Sequence, residues 1–336
     1  MTTAKKKKIA TWIIVPLMAA IFLFDIVSVV LGNVYTSRVS VVPEAFDGTY
    51  ADRIHFLNTA NSDAILLESD GHFALIDSGE GSENPRRKGN YHGFEKTVID
   101  YIKKVTAGAD GKAHLDFILG THCHYDHIGC FHAILQDADI LVDKAYFKPY
   151  DPAVGKEYEG KGWDIGDIYA QILEDLSVRN IPLCQTLPDK PFAFGNFTLQ
   201  FYNTVTPQAL YGEGENAASV GVKVTKGEHA AFLASDITRT TGLSQLLADK
   251  IGKVDVLKIG HHGYYGSGSF AWLRNLDPDI AVVTNKLGKI YPNEKWMLIL
   301  YAKLPIFGTA ENDGVIVSFP DAGAPVVTNH IHGGNT

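Results

Sequence analysis

A cluster of metal-binding side chains directly after an apolar strand constrains the fold of this chain more than any other feature. Residues 115–119 read Leu-Asp-Phe-Ile-Leu, a pattern that predicts a buried strand. The motif His122-x-His124-x-Asp126-His127 follows at once. Imidazole and carboxylate groups suit Zn²⁺ and similar ions. Because active sites of α/β sheets form beyond the carboxyl ends of strands, the pattern predicts a metal site at a sheet edge.

The spacing inside the motif separates its members into two pairs. His122 and His124 are two positions apart, so both imidazoles leave an extended chain on the same side. Asp126 and His127 come a turn later and can face a second ion. Cys123 points away from its two neighbours and is predicted to pack rather than to bind metal. The competing interpretation is four unrelated polar residues in a loop.

An apolar segment near the N-terminus predicts a membrane anchor. Residues 5–8 are lysines, and residues 9–31 are almost wholly apolar. That length is close to the ~20 residues that cross a bilayer. Lysines on the N-terminal side predict a cytoplasmic N-terminus and an extracellular remainder. A cleaved signal peptide is the alternative, but no small-x-small cleavage site precedes Val34. Asp25 is an unfavourable residue for a spanning helix.

The remainder of the chain alternates strand and helix patterns, which predicts a layered α/β domain. We assign residues 1–34 to the lysine cluster and anchor, 35–50 to a linker, 51–320 to the domain and 321–336 to a tail. Predicted strands are 53–57, 64–68, 72–77, 115–119, 139–142, 145–147, 197–202, 219–224, 230–234, 254–259, 280–283 and 315–319; predicted helices are 94–105, 130–135, 165–179, 241–248, 270–276 and 294–304; predicted loops are 79–93, 148–164 and 204–215.

Charge and cysteine content argue against two classes of protein, the non-specific nucleic-acid binders and the disulfide-stabilised domains. The formal net charge is -8, whereas non-specific nucleic-acid binders are normally basic. The 3 cysteines are too few for a disulfide framework.

Two further strand ends carry metal-binding side chains. Asp236 follows the strand 230–234, and His261 and His262 follow the strand 254–259. The order His-x-His-x-Asp-His, then Asp, then His resembles the metallo-β-lactamase superfamily over about residues 51–320. The resemblance implies a four-layer αββα sandwich with its metal site at one edge, between the two sheets.

The same resemblance implies two divalent ions, which the ligand types allow to be Zn²⁺, Mn²⁺ or Fe, with Zn²⁺ favoured. Asp77, at the end of strand 72–77 where a tight turn begins, would support the ligand loop without binding metal. The implied ligands are His122 and His124 for the first ion, Asp126, His127 and one histidine of the pair 261–262 for the second, and Asp236 as the bridge.

One departure from the family narrows the resemblance. Many members supply a third histidine to the first ion, but no histidine occurs between His132 and His229. Asn216 lies where a substitute polar group could come from. The absent histidine and the Leu-Lys-Ile-Gly-His-His-Gly element resemble two branches of the superfamily. These are the teichoic-acid phosphorylcholine esterases and the C-terminal domain of competence-type DNA-uptake proteins.

The esterase branch implies that His262 binds metal and that His261 contacts the substrate phosphate, although the opposite assignment stays open. It implies hydrolysis of a phosphoester, such as a cell-wall phosphorylcholine group, with catalytic roles for Asp126, Asp236 and His261. Tyr264 is expected to line the pocket. The alternatives are a nuclease of the competence type and a metal-binding surface protein without turnover.

Aromatic residues around the loop 148–164 suggest one further feature. They form either a cage for a quaternary ammonium group or ordinary loop packing. The four residues are Tyr146, Tyr150, Tyr158 and Trp163.

Near the end of the chain, His330 and His332 are assigned to the tail.

Overall fold

A computed structural model describes residues 3–38, 50–84, 86–87, 91–301 and 305–329. The helices are α1 (Thr3–Arg38), α2 (Glu95–Thr106), α3 (Tyr125–Ile128), α4 (Phe131–Gln136), α5 (Glu157–Gly162), α6 (Ile165–Val178), α7 (Leu243–Ile251), α8 (Phe270–Leu276) and α9 (Pro292–Tyr301). The strands are β1 (Asp52–Phe56), β2 (Ala64–Ser69), β3 (His72–Ser78), β4 (Ala113–Leu115), β5 (Phe117–Gly120), β6 (Ile140–Val142), β7 (Ala145–Phe147), β8 (Leu183–Cys184), β9 (Phe192–Phe194), β10 (Phe197–Tyr202), β11 (Gly221–Lys226), β12 (His229–Leu233), β13 (Val256–Lys258), β14 (Ile280–Val283), β15 (Ile306–Gly308), β16 (Val315–Ser318) and β17 (Val326–Asn329).

Two large sheets organise the domain. An 8-stranded sheet has the order β17-β16-β1-β2-β3-β5-β7-β8. A 7-stranded sheet has the order β15-β14-β13-β12-β11-β10-β9. The short strands β4 and β6 form a separate pair. Each large sheet contains a run of neighbouring parallel strands. The carboxyl ends of the strands in such a run point to the same edge of the sheet.

Three buried apolar clusters define the layers. One lies between the sheets and joins residues such as Phe56 and Leu119 to Phe201 and Val222. A second packs α2, α4 and α6 on the outside of the larger sheet. The third packs α7, α8 and α9 on the outside of the smaller sheet, around Trp272. The predicted four-layer αββα sandwich is therefore confirmed.

The apolar run 115–119 forms two strands, and its prediction as one strand is wrong. Asp116 separates β4 from β5. Its carboxylate accepts hydrogen bonds from the backbone N–H of Phe73 at 2.9 Å and from His72 at 2.7 Å. This polar anchor lets the chain leave the small β4–β6 pair and enter the large sheet, where Phe117 to Gly120 are buried.

The other differences between predicted and observed elements occur in segments whose hydrophobic pattern is weak. The predicted loop 148–164 contains the helix α5. Strands β8, β9 and β15 are only two or three residues long, too short to give a recognisable alternation. The segment assigned to a tail contributes β17, which pairs antiparallel with β16. His330 and His332 lie outside the described residues.

The helix α1 precedes the sandwich. Its segment Thr11–Asn33 has a mean hydropathy of 2.6 and is long and apolar enough to cross a membrane, as both anchors and signal sequences are. Helix α1 packs against α9, and Leu31 contacts the cluster around Trp272.

Candidate metal centre

The predicted ligands meet at one edge of the sandwich, where β5, β12 and β13 end. The motif 122–127 follows β5 of the larger sheet, whereas Asp236 and His262 follow β12 and β13 of the smaller one. A hydrogen bond of 3.1 Å from the backbone N–H of Val220 to the carbonyl of Thr121 joins the two sheets beside this point. The site therefore forms from both sheets.

A first group consists of His122, His124 and Asp236. Nε2 of His122 lies 3.2 Å from Nδ1 of His124 and 3.8 Å from Oδ2 of Asp236. All three side chains are buried. Burial and the neighbouring imidazoles of His127 and His124 lower the pKa of His122 well below its usual value. The ring is therefore neutral, which is the form that binds metal.

A second group consists of Asp126, His127 and His262. Nε2 of His262 lies 3.6 Å from Oδ2 of Asp126. The ring centroids of His127 and His262 are 5.1 Å apart. Both imidazoles are fully buried, while Asp126 borders the cavity described below.

Asp236 faces both groups with different oxygens. Its Oδ1 lies 3.2 Å from Nε2 of His127 and 3.4 Å from Nε2 of His262, whereas its Oδ2 faces His122. Burial alone would raise the pKa of this carboxyl, but the imidazoles of His127, His262 and His261 hold it well below its usual value. The carboxylate is ionised, and its two oxygens face the two groups of candidate ligands.

The donor atoms in the centre fit divalent cations. Nε2 of His127, Nε2 of His262 and Oδ1 of Asp236 are buried and have no hydrogen-bond partner among the described residues. A buried polar atom without a partner costs about 1–3 kcal/mol. A shared cation satisfies all three atoms at once, and imidazole with carboxylate is a donor set that Zn²⁺ and similar ions accept.

Asp77 supports this centre through hydrogen bonds, the role that the sequence analysis expected for it. Its Oδ2 accepts hydrogen bonds from Nδ1 of His127 and from the hydroxyl of Thr121, both at 2.7 Å. Its Oδ1 accepts from the backbone N–H of Thr121 at 2.8 Å. These contacts fix the ring of His127 with Nε2 turned towards Asp236.

A second network of side chains supports the centre, and the sequence analysis did not predict it. Asp63 is fully buried, and its Oδ1 lies 3.2 Å from Nδ1 of His262 and accepts a hydrogen bond from Thr284 at 2.6 Å. Its Oδ2 forms an ion pair with the ammonium group of Lys258, which is also fully buried. Lys258 lies in the apolar strand just before His261. A lysine in a strand predicted to be buried was therefore the sequence signal for this network. A buried lysine requires a buried partner.

The turn 260–263 aims the two adjacent histidines in different directions. His261 and His262 have φ angles of 46° and 50°, in the left-handed region that side chains other than glycine rarely adopt. Asp77 and Ser235 share this feature with φ angles of 55° and 47°. Such strain concentrates at functional sites. His262 consequently points into the centre, whereas the side chain of His261 remains 29% exposed.

A cavity of about 680 Å³ opens over the two groups. The residues predicted to contact substrate, His261, Asn216 and Tyr264, all line it. Nε2 of His261 lies 3.9 Å from Oδ2 of Asp236. Burial lowers the pKa of His261, so this imidazole is neutral and offers one N–H as a donor.

Cationic side chains line the same cavity, namely Arg86, Arg87 and Lys156. Arg87 is held by Glu80 through two hydrogen bonds of 3.0 and 2.6 Å. The guanidinium of Arg86 lies 4.3 Å from the ring centroid of Trp163, which in turn packs edge-on against His124. This stack places a positive charge beside the first group.

The four aromatic residues considered as a cage do not assemble around one space. Tyr146 is buried between the sheets against Phe117, and Tyr150 packs near Tyr169. Of these four residues, Tyr158 and Trp163 line the cavity, and Arg86 covers a face of Trp163. The cage interpretation is therefore wrong, and loop packing accounts for Tyr146 and Tyr150.

Residues 57–173 match the family model described as Metallo-beta-lactamase superfamily. The chain is 26% identical over 234 residues to ComE operon protein 3 of Bacillus subtilis, an alignment covering 67% of this chain and 27% of that protein. It is 29% identical over 84 residues to Recombination protein 2 of Haemophilus influenzae, covering 25% of this chain and 10% of that protein. The chain thus spans about a quarter or less of the length of these relatives.

Among solved structures, the metallo-beta-lactamase fold protein YhfI from Bacillus subtilis is similar, with a TM-score of 0.47 and 12% identity. The superposition covers 79% of this chain and 98% of that chain.

Proposed function

The chain contains a metallo-beta-lactamase superfamily domain, and on that premise we propose that it is a membrane-anchored, two-metal hydrolase of phosphoesters. One observation carries the proposal. Asp236 presents one oxygen to each of two His/Asp groups, directly below a cavity that Arg86, Arg87 and Lys156 line. Two adjacent cation positions beside fixed positive side chains suit a phosphoryl group, whose oxygens carry negative charge.

Two ions would be held by the residues already described. The first position takes His122, His124 and Asp236, and the second takes Asp126, His127, His262 and the same Asp236. The imidazole-rich donor set favours Zn²⁺, with Mn²⁺ and Fe as alternatives. When bound, such ions lower the pKa of water towards neutrality and stabilise negative charge on oxygen.

The chain's own residues supply orientation, charge and proton transfer. The N–H of His261 is placed to donate to a phosphoryl oxygen in the cavity, and Asn216 and Tyr264 line the path of the ester. Arg86 attracts the anionic group and keeps it beside His124. Asp126 belongs to the second group and also lines the cavity, so its carboxylate could accept the proton of the attacking water.

The substrate in this proposal is a phosphoester or phosphodiester at the outer cell surface. The segment Thr11–Asn33 spans the membrane once, and the lysines at residues 5–8 hold the N-terminus in the cytoplasm. Within the cavity, Arg86, Arg87 and Lys156 offer positive charges to the phosphate of a cell-wall phosphodiester.

A nuclease is the second candidate, favoured by the similarity to ComE operon protein 3 and Recombination protein 2. DNA is also a phosphodiester, so the same centre could cleave it. The net charge of -8 opposes general DNA binding. Cleavage of single-stranded DNA much faster than bis-p-nitrophenyl phosphate would select the nuclease.

The proposal is tested on the full chain purified in detergent micelles. We expect about two divalent ions per chain by mass spectrometry of metals, and hydrolysis of bis-p-nitrophenyl phosphate. Asp236→Ala should lose the bound ions and at least 10²-fold in kcat, as expected for removal of a bridging ligand. His229→Ala is the matched control, because this histidine pairs with Asp255 away from the centre. Fewer than one ion per chain, or an active Asp236→Ala variant, contradicts the proposal.

A further inference from the structure

A second, apolar groove of about 500 Å³ lies between α1 and the outer helices α8 and α9. Phe24 of α1 forms one wall, and Phe270, Trp296 and Met297 form the other. Arg239 is the single cationic side chain among the residues lining the groove. The groove is thus apolar with one positive charge, which suits an amphiphile whose headgroup contains a phosphate.

The groove is continuous with an apolar helix surface that the rest of the described chain leaves uncovered. None of the most apolar window within Thr11–Asn33 is buried by the rest of the described chain, and Phe24 itself is 63% exposed. In a membrane, acyl chains surround this helix. Because Phe24 belongs both to the helix and to the groove, the molecules next to the groove are the same lipids.

The position of Phe24 along the helix sets the depth of the groove. It lies nine residues before Asn33, the outer end of the apolar segment. At about 1.5 Å per residue this places the ring roughly 14 Å inside that end, at the level of acyl chains rather than headgroups. The opposite wall matches that environment, since Phe270 is 51% exposed and Tyr291, next to Pro292 of α9, is 45% exposed.

Arg239 connects this groove to the metal centre's cavity. Its guanidinium lies 5.0 Å from the ring centroid of Tyr265, and Tyr265 lines the cavity together with the adjacent Thr240. The arginine and the tyrosine therefore form the partition between the two spaces. Arginine is well suited to bind phosphate, and it is commonly found where a long side chain reaches from an apolar surface to charged groups.

We propose that the groove between α1, α8 and α9 binds a bilayer phospholipid, with an acyl chain against Phe24, Phe270 and Trp296 and the phosphate against Arg239. The proposal rests on the membrane anchoring proposed above. It places the α8–α9 face in the outer leaflet and the metal centre's cavity next to the bilayer surface, one side-chain layer from a bound lipid.

The first test uses Trp296 as a reporter in the full chain. Variants are reconstituted in phosphatidylcholine nanodiscs with or without bromine on the acyl chains, since bromine quenches indole fluorescence on contact. The sequence has 4 tryptophans, so Trp12→Phe removes the reporter inside the span. The emission lost on adding Trp296→Phe to this background is the Trp296 signal. We expect brominated chains to reduce it to half or less; equal emission in both discs overturns the proposal.

Two matched variants separate groove binding from general quenching. Phe270→Glu places a charge in the groove and should restore most of the Trp296 emission. Val178→Glu, at a 73% exposed position of α6 outside the groove, should leave the quenching unchanged. Quenching that persists in Phe270→Glu contradicts lipid in the groove.

The second test concerns the phosphate. Native mass spectrometry of the full chain released from the discs counts retained phospholipids, and Arg239→Gln should lower the retained fraction several-fold. Arg274→Gln, on the exposed side of α8, is the control and should retain lipid as the parent chain does. Equal retention in both variants refutes the contact with Arg239.

Failure of the anchor is distinguishable from failure of the groove. A chain that separates from the discs during gel filtration contradicts the anchor. A chain that stays with the discs while Trp296 remains bright contradicts only the groove. Hydrolysis of bis-p-nitrophenyl phosphate in the same discs reports on the metal centre independently of both.

Discussion

Oδ1 of Asp63 lies 3.2 Å from Nδ1 of His262, and both side chains are fully buried. The carboxylate thereby orients a candidate metal ligand from the side opposite to the centre. Asp77 does the same for His127 at 2.7 Å. Each of the two buried histidines thus has its own carboxylate, an arrangement that fixes ring orientation and strengthens metal binding.

Asp63→Asn should weaken the second metal position. The amide keeps the shape of the side chain but removes the charge that faces His262 and Lys258. Loss of such a supporting contact lowers metal affinity by about 10–100-fold. Competition with a chromophoric chelator measures this affinity. Asp110→Asn, which affects the exposed contact with His114, is the control; equal affinities in the two variants would refute the supporting role.

Lys258→Met should destabilise the domain through the same carboxylate. It removes the ammonium group that neutralises Asp63 and leaves an unpaired buried charge. Breaking a buried pair in this way costs about 3–5 kcal/mol in the free energy of unfolding. Lys96→Met breaks an exposed pair with Asp100 and should change stability by less than about 1 kcal/mol. Urea unfolding of both variants at one fixed metal concentration gives the comparison, and similar losses would contradict the prediction.

Gly129→Ala should disrupt the ligand loop. A Cβ at this position would lie 2.4 Å from the backbone nitrogen of Gly81 and 2.4 Å from the carbonyl oxygen of Tyr125. Because both neighbours are backbone atoms, neither can rotate away, and we expect a loss of more than about 2 kcal/mol. Gly162→Ala meets no atom within 4 Å and should be neutral or slightly stabilising. Thermal unfolding distinguishes the two, and a stable Gly129→Ala variant would contradict the close approach.

Arg86→Ala should weaken binding of an anionic substrate without greatly slowing the reaction. The guanidinium stacks on Trp163 at the cavity, and Arg86 is not among the candidate metal ligands. A charged hydrogen bond contributes about 1.5–3 kcal/mol, so KM for bis-p-nitrophenyl phosphate should rise about tenfold or more. We expect kcat to stay within about threefold, since the contact is equal in ground and transition states. Arg274→Ala controls for net charge; an unchanged KM in Arg86→Ala refutes the role.

The candidate ligands could be predicted from the sequence because they lie where strands end. His122, Asp236 and His262 follow β5, β12 and β13, and apolar strands with polar ends are readable without a structure. Asp63 and Lys258 could not be paired in this way, since they are far apart in the sequence and meet only when the two sheets pack. The split of β4 from β5 depended on the partner of Asp116, which is likewise a tertiary contact.

Glu294→Gln should change how stability depends on pH. Burial raises the pKa of Glu294 to about 7, and the hydrogen bond of 3.2 Å from the backbone N–H of Gly266 only partly offsets this. The folded chain therefore holds the proton more tightly than the unfolded chain, in which the pKa is near 4.5. The stability that this group contributes is complete below pH 4.5 and is lost as the pH rises towards 7.

Glutamine has no proton to lose, so the unfolding temperature of Glu294→Gln relative to the parent chain should rise from pH 5 up to the folded-state pKa of about 7 and level off between there and pH 8. Both proteins carry the same histidine ligands, so the difference between them isolates Glu294. Glu228→Gln, at the exposed turn between β11 and β12, controls for the lost charge. Differential scanning fluorimetry across this range measures the effect. A difference between Glu294→Gln and the parent chain that is constant with pH, or that shrinks as the pH rises, would show that Glu294 is ionised throughout.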